Sequence, residues 1–140
     1  MKTFSIRIMT FSDYDECFKL WNLNGDAFGR ADSTLVTFNK ILTRNPDTCF
    51  VAVTDNKIIG TIAAEFGGDG AYISHLNVSP DYRRQGVATD LVDTVEGKLD
   101  ELGVRKSRIL VFADNETAKL FWNRRGYAAH EDIIFMDRKL

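Results

Sequence analysis

Along the first residues Phe4, Ile6 and Ile8 alternate with Ser5 and Arg7, the two-residue period of a half-buried strand. Ser12 then stands where a helix N-cap would, ahead of Tyr14, Cys17, Phe18 and Trp21, whose spacing predicts an amphipathic helix. Asn24-Gly25-Asp26 breaks it, and a second, weaker helix is expected from Ser33 to Thr43, stopping before Asn45-Pro46. Cys49 to Thr54 and Lys57 to Phe66 are strand-like runs joined by Asp55-Asn56, the pattern of a hairpin. Gly67-Gly68-Asp69-Gly70 makes a second turn into a strand from Ala71 to Val78, which Ser79-Pro80-Asp81 ends.

Val87, Leu91, Val92, Val95, Leu99 and Leu102 fall on one stripe, with Asp90, Asp93, Glu96 and Asp100 elsewhere, so the clearest amphipathic helix runs here and stops at Gly103. Gly97 inside it costs about 1 kcal/mol relative to Ala, which points either to close packing or to simple tolerance. Ile109 to Phe112 reads as a strand, Asn115 to Arg125 as a short helix closed by Gly126, and Ile133 to Met136 as a last strand. Strands alternating with helices, with hairpins among them, give an α/β (α+β) domain on a mixed sheet.

At 140 residues the chain is one domain, 1–140, and its 44% hydrophobic and 27% charged residues suit a soluble globular core. A net charge of −2 lacks the basic excess on which sequence-independent nucleic-acid binding depends, so no nucleic acid is expected as a partner. No apolar run approaches the roughly 20 residues of a membrane span, and the N-terminus reads as a strand and not as a signal peptide. No membrane association and a cytoplasmic location follow as expectations. Cys17 and Cys49 lie among apolar residues, as buried free thiols in a reducing compartment would.

Chemistry concentrates at Arg83-Arg84-Gln85-Gly86-Val87-Ala88, between a strand and the start of the long helix. A helix start carries unpaired N–H groups and the positive end of the dipole, so a loop wrapped around it can hold a pyrophosphate. Gly86 allows positive φ and close approach, Ala88 keeps bulk away, and the arginines supply charge. A solvated basic turn with a glycine would read the same way. The segment is neither a Walker A loop, lacking Gly-Lys-Ser/Thr, nor a dinucleotide fingerprint, having one glycine.

The string from Leu76, Asn77 and Val78 through Arg83, Arg84, Gln85, Gly86, Val87, Ala88 and Thr89 to Leu91 resembles the acetyl-CoA signature of the GNAT superfamily of N-acetyltransferases: strand, Arg/Gln-x-x-Gly-x-Gly/Ala loop, helix. Asn115 to Tyr127 is similar to the second motif of that family, Asn-x-x-Ala-x-x-x-Tyr-x-x-x-Gly-Phe, with Trp122 at the tyrosine position. The resemblance is specific from about Cys49 to Tyr127 and fits a small stand-alone bacterial-type member. It implies a mixed sheet of about six to seven strands with about four helices, the fourth and fifth strands splayed to admit pantetheine. Main-chain groups of Leu76, Asn77 and Val78 would then meet the acyl-pantetheine, with an N–H near Leu76 as oxyanion donor. Backbone N–H groups from Arg84 to Thr89 would take the pyrophosphate. Asn115 would reach pantetheine or cap its helix, and Ala118 would be small where the co-substrate passes.

The family transfers acetyl directly from acetyl-CoA, with no metal, to an amine that must first lose its proton. Glu65, Tyr72 and His75 are the candidates for base or water-positioning group. Each has a structural alternative: a solvated strand-end carboxylate, a packed tyrosine, a hydrogen-bonded histidine. Tyr72 stands where histone-type members carry a glutamate. The implied function is N-acetylation of a primary amine of a small molecule, amino acid or peptide. The alternative is a non-catalytic acyl-CoA-binding module, which Tyr72 and Trp122 would also suit. Asp26, Phe28, Arg30 and Asp32 are expected to line the acceptor pocket. The oligomeric state stays open; many small members of the family form a homodimer through edge strands.

Overall fold

The computed structural model describes residues 3–24 and 35–140. The chain divides into two compact units, Met1–Ile109 and Leu110–Leu140. In the first, five strands lie in the order β1 (Ser5–Ile8), β2 (Cys49–Thr54), β3 (Lys57–Gly67), β4 (Gly70–Val78) and β5 (Ser107–Arg108). The first three ladders are antiparallel and the last is parallel, so the sheet is mixed. Helices α1 (Tyr14–Asn24), α2 (Leu35–Arg44) and α3 (Val87–Glu101) belong to this unit, and α4 (Glu116–Arg124) to the second.

The β2–β3 turn follows from its residues: Asp55 and Asn56 sit at φ 50° and 60°, a left-handed region that short polar side chains tolerate. Every residue from Ile58 to Ala64 is buried, as befits a central strand covered on both faces. On one face Ala63 packs in a cluster with Cys17, Trp21, Phe38 and Leu42. On the other, α3 comes so close that a Cβ at Gly60 would lie 2.9 Å from Val87 Cγ1 and 3.0 Å from Leu91 Cδ1. A missing side chain on β3 therefore sets how near the start of α3 stands to the sheet.

The approach to α1 differs from the sequence expectation. Ser12 lies inside a short 3-10 turn, Phe11–Asp13, and Asp13 does the holding: its carboxylate accepts the Thr10 N–H at 2.8 Å and both Arg7 guanidinium nitrogens at 2.8 and 3.0 Å. Burial alone would raise the Asp13 pKa, but the Arg7 and Thr10 hydrogen bonds outweigh it and hold the group below its ordinary 3.8.

Three strand expectations change. Among the described residues the sheet has five strands instead of six to seven. Ile109 to Phe112 lies beyond β5, whose ladder with β4 ends after two pairs, Ala71 with Ser107 and Tyr72 with Arg108. Ile133 to Met136 lies in no strand, with Ile134 and Met136 77% and 79% exposed. An apolar run has strand propensity, but propensity alone does not make a strand, and neither run is in one among the described residues. For Gly97 the open question closes on tolerance, since a Cβ there would meet nothing within 4 Å. Ser33 and the loop beyond Asn24, with Asp26, Phe28, Arg30 and Asp32, lie outside the described residues.

Candidate functional site

Two features of β4 shape the site. Its ladder with β5 stops at Tyr72, so from Ile73 to Val78 that edge runs on without β5. Against β3, Thr61 pairs with Asn77 and Ala63 with Ser74, leaving Ile62 alone opposite His75 and Leu76. This one-residue bulge puts His75 at φ 56°, a conformation that a residue with a side chain holds only when its surroundings enforce it. The enforcement is visible. The Thr61 hydroxyl donates to the His75 carbonyl at 2.7 Å, and the Trp21 indole N–H donates to the Thr61 oxygen at 2.9 Å. The bulge is thus tied through a fully buried threonine to α1.

The far end of β4 is fixed by Asn24, the last residue of α1. Its amide nitrogen donates to Asn77 Oδ1 at 3.0 Å and to the Val78 carbonyl at 3.1 Å, while its oxygen accepts from Arg83 Nη2 at 3.0 Å. Arg83 Nε also donates to the Val78 carbonyl, at 3.3 Å. Arg83 is therefore held against the strand end, although it is exposed like Arg84, at φ 64°, Gln85 and Gly86. Gly86 occupies the left-handed region at φ 84° and begins α3 with no side-chain cap. The first helical bond closes from Asp90 N–H to the Gly86 carbonyl, so Val87, Ala88 and Thr89 direct the unpaired N–H groups of a first turn. A Cβ at Gly86 would meet nothing within 4 Å, so φ and not crowding within the protein demands the glycine.

In the second unit Asn115 caps α4: its side-chain oxygen accepts the Ala118 N–H at 3.0 Å. Ala118 is half-buried. Trp122 is buried, with its ring edge-on to Phe121 and Tyr127 at centroid distances of 5.2 and 4.9 Å.

Of the acid–base candidates, Glu65 and Tyr72 face each other across the β3–β4 ladder, both half-buried. Alternation along β3 places Glu65 on the face of Thr61 and Ala63, the one that α1 covers. His75 lines a pocket with Met9, Trp21, Thr37, Phe38, Ile41, Leu42 and Ala63, and its ring lies 4.5 Å from that of Trp21. Ser74 Oγ lies 3.0 Å from His75 Nδ1. The histidine is thus anchored beside the α1 side of the core. Both cysteines are buried free thiols; burial raises Cys17 strongly and, with a contribution from the Glu65 charge, pushes Cys49 up to about 11. Neither supplies a thiolate at neutral pH. The bulge, the Trp21–Thr61 link and the Asn24 clamp leave no mark in the sequence, because each joins residues from 11 to 59 positions apart.

Residues 9–127 match the model of the acetyltransferase (GNAT) family, and the chain belongs to that family. An acetyltransferase of Sodalis glossinidius (strain morsitans) is 25% identical over 135 residues, covering 96% of this chain and 94% of the relative. Ard1 from Thermoplasma volcanium shares the fold with a TM-score of 0.82 at 20% identity, over 91% of this chain and 84% of its own. The PaiA N-acetyltransferase from Thermoplasma acidophilum, solved in complex with coenzyme A, gives a TM-score of 0.82 at 16% identity over 93% of this chain and 92% of its own. Among the described residues no helix is long and apolar enough to cross a membrane.

Proposed function

We propose that the protein is an acetyl-CoA-dependent N-acetyltransferase that acetylates a primary amine. The observation that carries this is the uncapped start of α3, reached from the end of β4 through the Arg83–Gly86 loop. The unpaired N–H groups of Val87, Ala88 and Thr89, the left-handed turn at Gly86 and the exposed Arg84 suit a pyrophosphate. Open space at Gly86 leaves room for one. Main-chain groups of Leu76, Asn77 and Val78 would lie along the pantetheine arm; the Val78 carbonyl, already accepting from Asn24 and Arg83, leaves recognition to its neighbours. The coenzyme A complex of the Thermoplasma acidophilum protein supports the reading.

Acetyl-CoA supplies an acyl group on a leaving group whose thiol pKa is near 8.5. The amine nitrogen bonds to the acetyl carbon, the carbon–sulfur bond breaks, and the electron pair leaves on sulfur. His75 is the base we assign to the acceptor's surplus proton, and the backbone N–H near Leu76 the donor to the carbonyl oxygen. Glu65 and Tyr72, farther along the same face, would order water.

Acetyl-CoA at 100 times its dissociation constant should stabilise the fold by about 2.7 kcal/mol, read as a rise in Tm. With a panel of primary amines it should release free thiol. No Tm shift at millimolar acetyl-CoA would overturn the co-substrate assignment; a shift with no thiol released by any amine would leave a non-catalytic acyl-CoA-binding module.

A further inference from the structure

We infer that Thr61, held by Trp21, is a positioning residue for acyl transfer that aims the Leu76 N–H at the thioester carbonyl; the inference rests on the acetyltransferase reading above. Thr61 is fully buried on β3, beside the bulge of β4. An indole N–H can only donate and a carbonyl can only accept, so a hydroxyl between them has one orientation open to it. It takes the Trp21 N–H at 2.9 Å and gives its own proton to the His75 carbonyl at 2.7 Å. The hydroxyl thus passes the position of α1 on to a single peptide unit of β4.

The His75 carbonyl and the Leu76 N–H belong to that one unit, and their peptide bond is trans. In a planar trans unit the C=O and the N–H point in opposite directions. Holding the carbonyl toward Thr61 therefore turns the Leu76 N–H away from Thr61 and the strand that carries it, toward the side of β4 that β5 leaves after Tyr72. A regular ladder would set that direction by pairing alone, but the bulge that places His75 and Leu76 together against Ile62 breaks the register here. His75 also holds φ at 56°, a conformation that a residue with a Cβ leaves once its surroundings relax. The direction of the N–H thus depends on the Thr61 bond. A donor stabilises developing negative charge only when it is aimed at it, so a turn of this peptide should slow the transfer while acetyl-CoA still binds at the start of α3. Fastening α1 to the sheet, the purely structural role for the same bonds, predicts a loss of stability and nothing more.

The test is Thr61→Val, which keeps the shape of the side chain and deletes the hydroxyl, with Thr61→Ser as the variant that restores it. The first readout needs no acceptor: infrared difference spectra of bound acetyl-CoA labelled at its carbonyl carbon. The carbonyl band should lie at lower frequency in the parent protein and in Thr61→Ser than in Thr61→Val. The second readout is turnover with an amine that the parent acetylates. Thr61→Val should lower kcat at least tenfold, short of the roughly 10²–10³-fold that outright loss of an oxyanion donor costs, with KM for acetyl-CoA within twofold of the parent, and Thr61→Ser should recover most of kcat. Thr61→Val leaves both the Trp21 N–H and the His75 carbonyl without their partner. Should it not fold, Trp21→Phe/Thr61→Val removes the indole donor together with its acceptor and carries the same two readouts. In a folded valine variant an unmoved band, or an undiminished kcat, overturns the inference while the acetyltransferase stands. If no amine is acetylated by the parent, the acetyltransferase reading fails separately and the band alone decides the aim of the N–H: a moved band supports it, an unmoved one overturns it. A parent protein that binds no acetyl-CoA overturns both.

Discussion

Helix α3 starts at a left-handed glycine with no side chain over its first turn, whereas α4 starts at Asn115, whose own amide oxygen takes up the Ala118 N–H. Both positions belong to motifs that resemble co-substrate-binding segments, yet the physics of the two starts is opposite. A capped terminus has satisfied part of its donor set internally and gains stability from doing so. An uncapped one forgoes that stability and keeps its donors and dipole for something else. The difference favours α3 over α4 as the place for the proposed pyrophosphate and leaves Asn115 what its remaining amide nitrogen can do.

The largest effect expected from breaking this contrast is at Gly86. A valine there must hold φ near 84°, a left-handed conformation that costs roughly 1–2 kcal/mol for a residue with a Cβ, and it also places a branched side chain beside the unpaired N–H groups. Gly86→Val should lower Tm modestly without ligand and abolish the rise produced by acetyl-CoA. A full ligand-induced rise in that variant would move the anion site away from α3.

At Asn115 the effect is smaller and divides in two. Asn115→Ala removes the cap and should cost about 1 kcal/mol of stability without ligand, measurable by denaturant titration. Asn115→Asp keeps the accepting oxygen and should leave that stability close to the parent value. Both substitutions delete the amide donor, so both should reduce the Tm rise on acetyl-CoA. An undiminished rise in both would confine Asn115 to capping.

The same contrast separates what a chain of residues discloses locally from what only its folding creates. Gly86 and Asn115 are legible in the sequence because their roles are local: a positive φ and an N-cap each involve a few neighbouring positions, written as glycine before one stripe and asparagine before another. The β2–β3 hairpin is legible for the same reason, through Asp55-Asn56. Nothing local announces that β4 bulges at His75, since its cause is a register set against β3 and a bond relayed from Trp21. Ile133 to Met136 misleads in the other direction, for its composition suits a strand but among the described residues it lies in none. Ser12 misleads because Asp13, held by Arg7 across a turn, makes a stronger contact than a serine cap offers.

The finest test of the contrast uses the other glycine of α3. Gly97 is exposed in the middle of the helix, keeps φ outside the left-handed region, and has nothing within 4 Å of where a Cβ would stand. Gly86 also has open space around its absent Cβ, so crowding distinguishes the two no better than composition does; only backbone conformation separates them. An alanine at position 97 restricts the unfolded chain and improves helix propensity with no contact to disturb, so Gly97→Ala should stabilise the protein by roughly 0.5–1 kcal/mol. Because position 97 lies two to three turns from the first-turn donors, the acetyl-CoA Tm shift should stay at its parent value. Stabilisation accompanied by a weakened shift would mean that stiffening α3 anywhere impairs binding, and would transfer the role now given to the left-handed start at Gly86 to the flexibility of the whole helix.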